Sequence, residues 1–283
     1  PSCRCIELYR RLHEAKVMAS CYLRPVMRIA LIGNGNLAWH LSRAMRNAGL
    51  HIHAQLSRKN KESLGWELFH SWETMPPDLD VYFLAIPDSA IAEACSHISD
   101  QATVIHFAGG SDIEAISQPR RAVCWPCQTL TRGTEIDYSS IPVLFECSDA
   151  DTELIIEETL KKAWGVWTKA DGKQRLKAHA AAVFSNNFTN HMQHIAHQLL
   201  HEAGLPEQLL HPMVKAHMKL LDSHEPSQVQ TGPAKRNDVT TLQRHIHALQ
   251  KHSDWKKLYE AISEDIITTY QPKGEGRGTK DEG

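Results

Sequence analysis

Residues 28–38 read Arg28-Ile29-Ala30-Leu31-Ile32-Gly33-Asn34-Gly35-Asn36-Leu37-Ala38, and the order of residue types in this stretch decides the fold. Four apolar residues in succession make a short strand of the kind buried on both faces. Gly33 to Ala38 follow as G-x-G-x-x-A, and from Leu37 to Ala48 apolar positions recur with helical spacing until Gly49 stops the helix. A strand that ends in a glycine turn and opens a helix suits the diphosphate of a dinucleotide. Gly33 permits the tight turn, Gly35 lets the main chain approach the phosphates, and Ala38 allows close packing of helix on strand. The helix N-terminus offers N–H groups that no helical carbonyl uses. Gly33, Asn34, Gly35, Asn36 and Leu37 are therefore the expected diphosphate-binding residues. The competing reading is a glycine turn that only connects two elements.

Working outward, His51 to Leu56 reads as a second strand, and its end carries Ser57-Arg58-Lys59 in place of the acidic residue that an NAD ribose would want. A hydroxyl and a guanidinium suit a 2′-phosphate, so NADP is favoured and NAD is the lesser expectation, with Ser57 and Arg58 as the contacts. A basic solvated loop is the alternative for both cations. Asp80 to Ile86 is a third strand, stopped by Pro87-Asp88, and Thr103 to Phe107 a fourth, ending in Ala108-Gly109-Gly110. Ligands of an open parallel sheet bind outside the carboxyl ends of its strands, which assigns Ile86, Pro87 and Asp88 to the nicotinamide end of the cofactor. His106 lies at the same edge, as an acid-base candidate or as a hydrogen-bonded structural histidine. Further strands near Val123, at Pro142 to Glu146 and at Val166 to Thr168, with a helix from about Thr152 to Ala163, complete the sheet.

Past Asp171 the strand pattern stops. One helical pattern from Lys173 to about Gly204 aligns Phe184, Phe188, Met192, Ile195 and Leu199 as an expected buried stripe. The remaining arc carries His179, Asn187, Asn190, His191, His194, His197 and His201. Pairs such as His194/His197 have helical spacing for a metal, but no carboxylate or cysteine completes a ligand set, and no metal is expected. Seven of the 18 histidines fall between His179 and His217, so the histidine excess belongs mainly to this half.

Composition narrows the partners. The 283 residues carry 31 Lys+Arg against 33 Asp+Glu, a formal charge of -2 that gives no basic field for nucleic acid or an anionic membrane. No stretch approaches the roughly 18 apolar residues of a membrane span. Seven cysteines, at 3, 5, 21, 95, 124, 127 and 147, are odd in number and scattered, which fits a reducing cytoplasm better than a disulfide framework. Residues 1–26, rich in Arg and holding three of those cysteines, look foreign to the strand-and-helix pattern that begins at Arg28, which points to Met27 as the functional start. The competing reading is a helix built on Ile6, Tyr9, Leu12 and Lys16. Residues 271–283, rich in Gly, Lys and Glu, read as a disordered tail.

Beyond the glycine turn and Ser57-Arg58, five longer strings stand out. They are His106-Phe107-Ala108-Gly109-Gly110, Trp125-Pro126-Cys127-Gln128-Thr129-Leu130, Ile141-Pro142 with Phe145-Glu146, His179 to Phe184 with Asn187-Phe188 and Asn190-His191, and Gln230-Thr231-Gly232-Pro233-Ala234-Lys235-Arg236-Asn237-Asp238. Together, from about Met27 to Tyr270, the chain resembles the Rossmann-like oxidoreductases that end in the domain of unknown function 2520, relatives of the 6-phosphogluconate dehydrogenase and pyrroline-5-carboxylate reductase type. The resemblance implies an α/β fold: a Rossmann-type doubly wound parallel sheet at 27–171, then an all-α domain of 6-phosphogluconate dehydrogenase-like type at 172–270. It further implies a small-molecule substrate in a cleft between the domains and a homodimer formed through the helical domain. The family pattern H-x-S-G-S is altered here at Ala108 and Gly110, and a family Glu-Thr after Pro212 is replaced by Ala216-His217. In the family pattern an apolar residue stands where this chain has Cys127, so Cys124-Trp125-Pro126-Cys127 reads as two packed thiols and not as a redox pair.

The expected function is hydride transfer between NADP and a small carbonyl or imine. The candidates for the chemistry are His106, His179 and His191 as acid-base groups, Asn187 and Gln230 as orienting partners, and Arg236 as an anion clamp or as the ion-pair partner of Asp238. The alternative is a dinucleotide-binding sensor or scaffold without turnover.

Overall fold

The structure, a computed structural model, describes residues 27–59 and 62–270. The readings of residues 1–26 and 271–283 lie outside the described residues. Among the described residues eight strands form one sheet: β1 (Ile29–Ile32), β2 (Ala54–Leu56), β3 (Leu68–Phe69), β4 (Val81–Leu84), β5 (Thr103–His106), β6 (Arg121–Pro126), β7 (Pro142–Cys147) and β8 (Val166–Lys169). Their order is β3-β2-β1-β4-β5-β6-β7-β8. The chain starts in the middle, winds outward one way through β2 and β3, and returns to β4 on the other side of β1. This Rossmann topology leaves a switch point between β1 and β4, where connections leave in opposite directions.

Strand residues alternate between two buried faces, as the two-residue period of a strand requires. Ile29, Leu31, Val81 and Phe83 pack on one side with Ala38, Leu41, Ala44 and Met45 of helix α1 (Asn36–Asn47). Ala30, Ile32, Tyr82 and Leu84 pack on the other with Ile91, Ala94 and Cys95 of helix α2 (Ile91–Cys95). Ala38 is fully buried, so the third position of the glycine pattern serves close packing. Gly33 is held at φ +122, and a Cβ there would lie 2.2 Å from the Ala85 carbonyl oxygen. No side chain fits at that crossing of turn and strand.

The sheet is not wholly parallel. β7 runs antiparallel to β6, with Trp125 opposite Leu144, and β8 then runs parallel to β7. A parallel return needs a crossover, usually helical, and residues 127–141 between β6 and β7 contain only the single 3-10 turn Tyr138–Ser140. The expected helix over 152–163 is two helices, α3 (Ala150–Glu158) and α4 (Leu160–Ala163), broken at Thr159 with φ -115 and ψ -85.

After β8 the described residues form no further strand. Asp171 caps α5 (Gly172–Ala182) in a reciprocal capping box with Gln174. A π turn, Val183–Phe188, leads to α6 (Thr189–Glu202), followed by α7 (His211–Leu221), α8 (Pro226–Val229), α9 (Val239–Ala248) and α10 (Ser253–Tyr270). The chain divides into two compact units between Ser185 and Asn186. The expected buried stripe of this helical run is corrected by the structure: Phe184 is 70% and Phe188 49% exposed. Both lie in the π turn, whose i→i+5 winding breaks the helical phase on which the stripe was drawn. Met192, Ile195 and Leu199 beyond it line an apolar groove of about 310 Å³ with Trp255 and Tyr259 of α10.

Candidate functional site

Most of the candidate residues of the first unit lie at or just past the carboxyl ends of β1, β2, β4 and β5. Gly35 is the N-cap of α1; no side chain caps this helix and no acidic residue occupies its first turn. A Cβ on Gly35 would meet nothing within 4 Å, so the main chain faces open space there. The helix therefore presents its amides and the positive end of its dipole to a gap that an anion can enter. Buried Gln55 of β2 shapes the turn by donating from Nε2 to the Gly33 carbonyl at 3.3 Å, while its Oε1 accepts from the Leu64 amide at 2.9 Å.

Beside the turn, a cleft of about 340 Å³ is lined by Gly33, Ser57, Arg58, Ile86 and Pro87, with Trp72 and Glu93. Five of the ten residues expected to bind the cofactor meet in it. The Arg58 guanidinium stands 2.7 Å from the Glu93 carboxylate, which its hydrogen bond and charge hold below the usual range. Trp72 is fixed by stacking on His97 at 5.1 Å. Leu37 packs its side chain on the core beneath the turn, leaving its main chain to the gap. Asn34 and Asn36 turn toward Arg132: Asn34 Oδ1 accepts from Nη1 at 3.3 Å, and Asn36 Oδ1 from the Arg132 amide at 3.3 Å. Asp88 accepts a 2.6 Å bond from Ser111 Oγ, tying the β4 end to the loop after β5.

His106 is wholly buried at the end of β5. Its Nδ1 accepts from the Ala108 amide at 3.2 Å, so Nε2 carries the proton and donates to the Asp112 carbonyl at 3.2 Å. Burial is the main cause that lowers its pKa to about 4. Both ring nitrogens of His106 are thus occupied by the main chain, and the ring is held neutral.

His179 lies differently. It projects from α5 over the glycines after β5: a Cβ on Gly109 would lie 2.8 Å from its ring and one on Gly110 3.7 Å from Nδ1. Trp125 of β6 meets it edge-on at 5.2 Å. One turn earlier on α5, buried Arg175 donates to Glu146 Oε2 at 2.7 Å and to the Ser111 carbonyl at 3.0 Å, which anchors the helix to β7 and to the Ser111 loop. Cys124 is buried and Cys127 partly so, and burial pushes both thiols up, so neither presents a thiolate.

The remaining candidates belong to the second unit. Asn187 sits in the π turn, and His191 stacks on His194 at 6.1 Å. Gln230 Nε2 donates to the Thr231 carbonyl at 3.0 Å. Arg236 follows the Gly232 turn, but the Asp238 carboxylate goes to Thr241, whose amide and hydroxyl it accepts as the cap of α9. The expected Arg236–Asp238 ion pair gives way to a helix cap, and Arg236 acts on Asp238 only as a weaker, distant charge. Among the described residues no group of three or more His, Cys, Asp or Glu is arranged to hold a metal.

Sequence reading gives no site role to Gln55, Arg132 and Arg175, and quotes Trp125 only within the Trp125–Leu130 string. All four act across long sequence separations from residues it did find, and no local spacing announces them.

Residues 141–266 match the family described as Domain of unknown function (DUF2520). Over these residues the chain is similar to that family. The DUF2520 match begins one residue before β7, so it takes in the last two strands as well as the helices. Among solved structures, the chain is similar to a protein from Bacteroides fragilis named "putative NADP oxidoreductase BF3122", with 29% identity and a TM-score of 0.79 over 86% of this chain and 98% of that one. It shares the fold of a reductive aminase from Aspergillus terreus in complex with NADPH4, cyclohexanone and allyl amine (12% identity, TM-score 0.61, 87% and 97% covered). It also shares the fold of Plasmodium falciparum pyrroline carboxylate reductase with NADP bound (12%, TM-score 0.54, 87% and 98%). No curated protein matches the sequence.

Proposed function

We propose that this chain is an NADP-dependent oxidoreductase that moves a hydride between the nicotinamide and a small carbonyl or imine substrate. One observation carries the proposal: an uncapped helix N-terminus behind a glycine turn that no side chain can occupy, opening at the sheet's switch point beside Ser57 and Arg58. In this reading residues Gly33 to Leu37 hold the diphosphate, Ser57 and Arg58 the 2′-phosphate, and Ile86, Pro87 and Asp88 flank the nicotinamide. Similarity to the Bacteroides protein, at 29% identity, supports the cofactor class. The cofactor, when bound, supplies the hydride donor or acceptor. NADP is preferred over NAD because a charge-assisted contact from Arg58 is worth roughly ten- to a hundredfold in affinity.

His179 is the proposed acid-base group, its ring beside Gly109 and Gly110 at the carboxyl edge of the sheet. It exchanges the proton that the substrate's oxygen or nitrogen gains or loses, a role typically worth 10²–10⁴-fold. Trp125 screens one side of that ring from water. Asn187, His191, Gln230 and Arg236 are proposed to meet polar groups of the substrate, Arg236 as an anion clamp. The four described cysteines are all free thiols, in keeping with a cytoplasmic setting. A homodimer through the helical half is also proposed, because from Asn186 on the described residues bury only three apolar side chains, Ala234, Leu242 and Leu249.

The test is NADPH oxidation, followed by its fluorescence, with a panel of keto acids, imines and aldehydes. Turnover with at least one class is expected, and His179→Gln should lower kcat at least tenfold while leaving NADPH affinity within about twofold. NADPH binding with no turnover across the panel would overturn the oxidoreductase. That outcome would favour a dinucleotide sensor, a reading to which the main-chain-locked His106 lends some weight.

A further inference from the structure

The geometry points to Arg132 as a clamp on the diphosphate of the bound dinucleotide, swung over the glycine turn by the loop between β6 and β7. This inference rests on the dinucleotide reading of the glycine turn and adds a residue that the glycine pattern does not contain.

The loop, residues 127–141, is long enough to stand away from the sheet, but it is pinned to α1. His40, wholly buried in the second turn of that helix, shares a hydrogen with the Thr131 carbonyl at 2.8 Å through Nε2. Its Nδ1 lies 3.1 Å from the Tyr138 hydroxyl. A carbonyl cannot donate, so Nε2 carries the proton and Tyr138 donates to Nδ1. One ring thus holds both arms of the loop. The residue after Thr131 is carried directly to the turn: the Arg132 amide bonds Asn36 Oδ1 at 3.3 Å, and its guanidinium reaches the Asn34 carbonyl at 3.4 Å and Oδ1 at 3.3 Å.

Those bonds are long and go to neutral acceptors, so they leave the cation's charge unspent. The carboxylate paired with it, Glu62, is 3.9 Å away and 81% exposed, a weak and screened partner. The guanidinium, 36% exposed, offers five N–H donors in a planar fork that matches two phosphate oxygens. Across the gap the first-turn amides of α1 supply only partial charge, which alone matches a doubly negative diphosphate poorly. Arg132 provides the full positive charge the turn lacks. Because the diphosphate is common to NADPH, NADH and ADP-ribose, Arg132 acts on all three alike, whereas Arg58 acts only on a 2′-phosphate.

The experiment is calorimetric titration of the full chain and its Arg132→Ala, Arg132→Lys and Arg58→Ala variants with NADPH, NADH and ADP-ribose. Arg132→Ala should weaken all three by a similar factor of about ten or more, with Lys recovering part of the loss. Arg58→Ala should weaken NADPH alone. Melting curves of the variants should match the wild type, since Arg132 is a partly exposed loop residue. If the wild type binds NADPH and Arg132→Ala keeps all three affinities within about twofold, the clamp is overturned and the dinucleotide reading stands. If the wild type binds none of the three, the dinucleotide reading itself fails.

Discussion

At the scale of single residues, the two histidines at the sheet edge differ in burial. His106 has its pKa lowered to about 4, so between that value and 6.5 the unfolded chain binds a proton at this residue that the folded chain refuses. Stability therefore rises with pH across this window, is fully present above 6.5, and is lost as pH falls toward 4. The contribution is about 3 kcal/mol at most. Unfolding free energies from urea titrations at pH 4 to 8 should climb by an amount of that order, and His106→Gln should flatten the climb while lowering stability at neutral pH through its lost bonds to Ala108 and Asp112. An unchanged slope would mean that other groups set the acid limit. Burial and paired nitrogens cannot be read from a strand-end position, which is why sequence leaves His106 and His179 as equals.

At the scale of elements, the reversal of β7 brings His179 to the carboxyl edge of β5 and β6. In an ordinary βα unit the strand climbs to the carboxyl edge and the helix carries the chain away. Here β7 and β8 descend, so α5 climbs. The register makes this concrete: Glu146, which grips Arg175, is paired with Val123, and His179 meets Trp125, two residues further along β6. Four helical residues and two strand residues each advance about 6 Å, so α5 and β6 rise together. Close passage at the top requires glycine: a Cβ on Gly109 would lie 2.6 Å from the Trp125 ring and 2.8 Å from that of His179. Gly109→Ala should cost about 1–3 kcal/mol by overpacking and shift Trp125 fluorescence, while Gly110→Ala, whose Cβ meets nothing nearer than 3.7 Å, should be neutral in a melting assay. Equal melting temperatures for the two variants would contradict this packing. Much of the sheet is legible from period-two runs and the glycine turn, because local patterning fixes Ile29–Ile32, Val81–Leu84 and Thr103–His106. The direction of β7 is not legible, since it depends on pairing with β6, and the two residues of β3, Leu68 and Phe69, are too few to make a pattern. For the same reason Arg132 escapes notice: nothing near it in sequence says that His40, 92 positions earlier, holds its loop.

At the scale of the whole molecule, the two units differ in how much apolar surface they hide. Eight of the twelve large apolar residues left exposed among the described ones, including Leu209, Met213, Met218 and Leu220, belong to the helical unit. Met213 and Leu220 are seven residues apart on α7 and share a face, the arrangement that a second copy could cover. Sedimentation at about 10 µM should return twice the chain mass, and the double substitution Met213→Glu, Leu220→Glu should return it to that of one chain; a wild-type monomer at that concentration would exclude the homodimer. The shallow burial around Ala234, Leu242 and Leu249 has a thermodynamic consequence. In the proposed homodimer this half would complete its core on another copy and gain stability by mass action, so its melting temperature should climb with the amount of protein in the tube. For such a chain dilution acts as a denaturant.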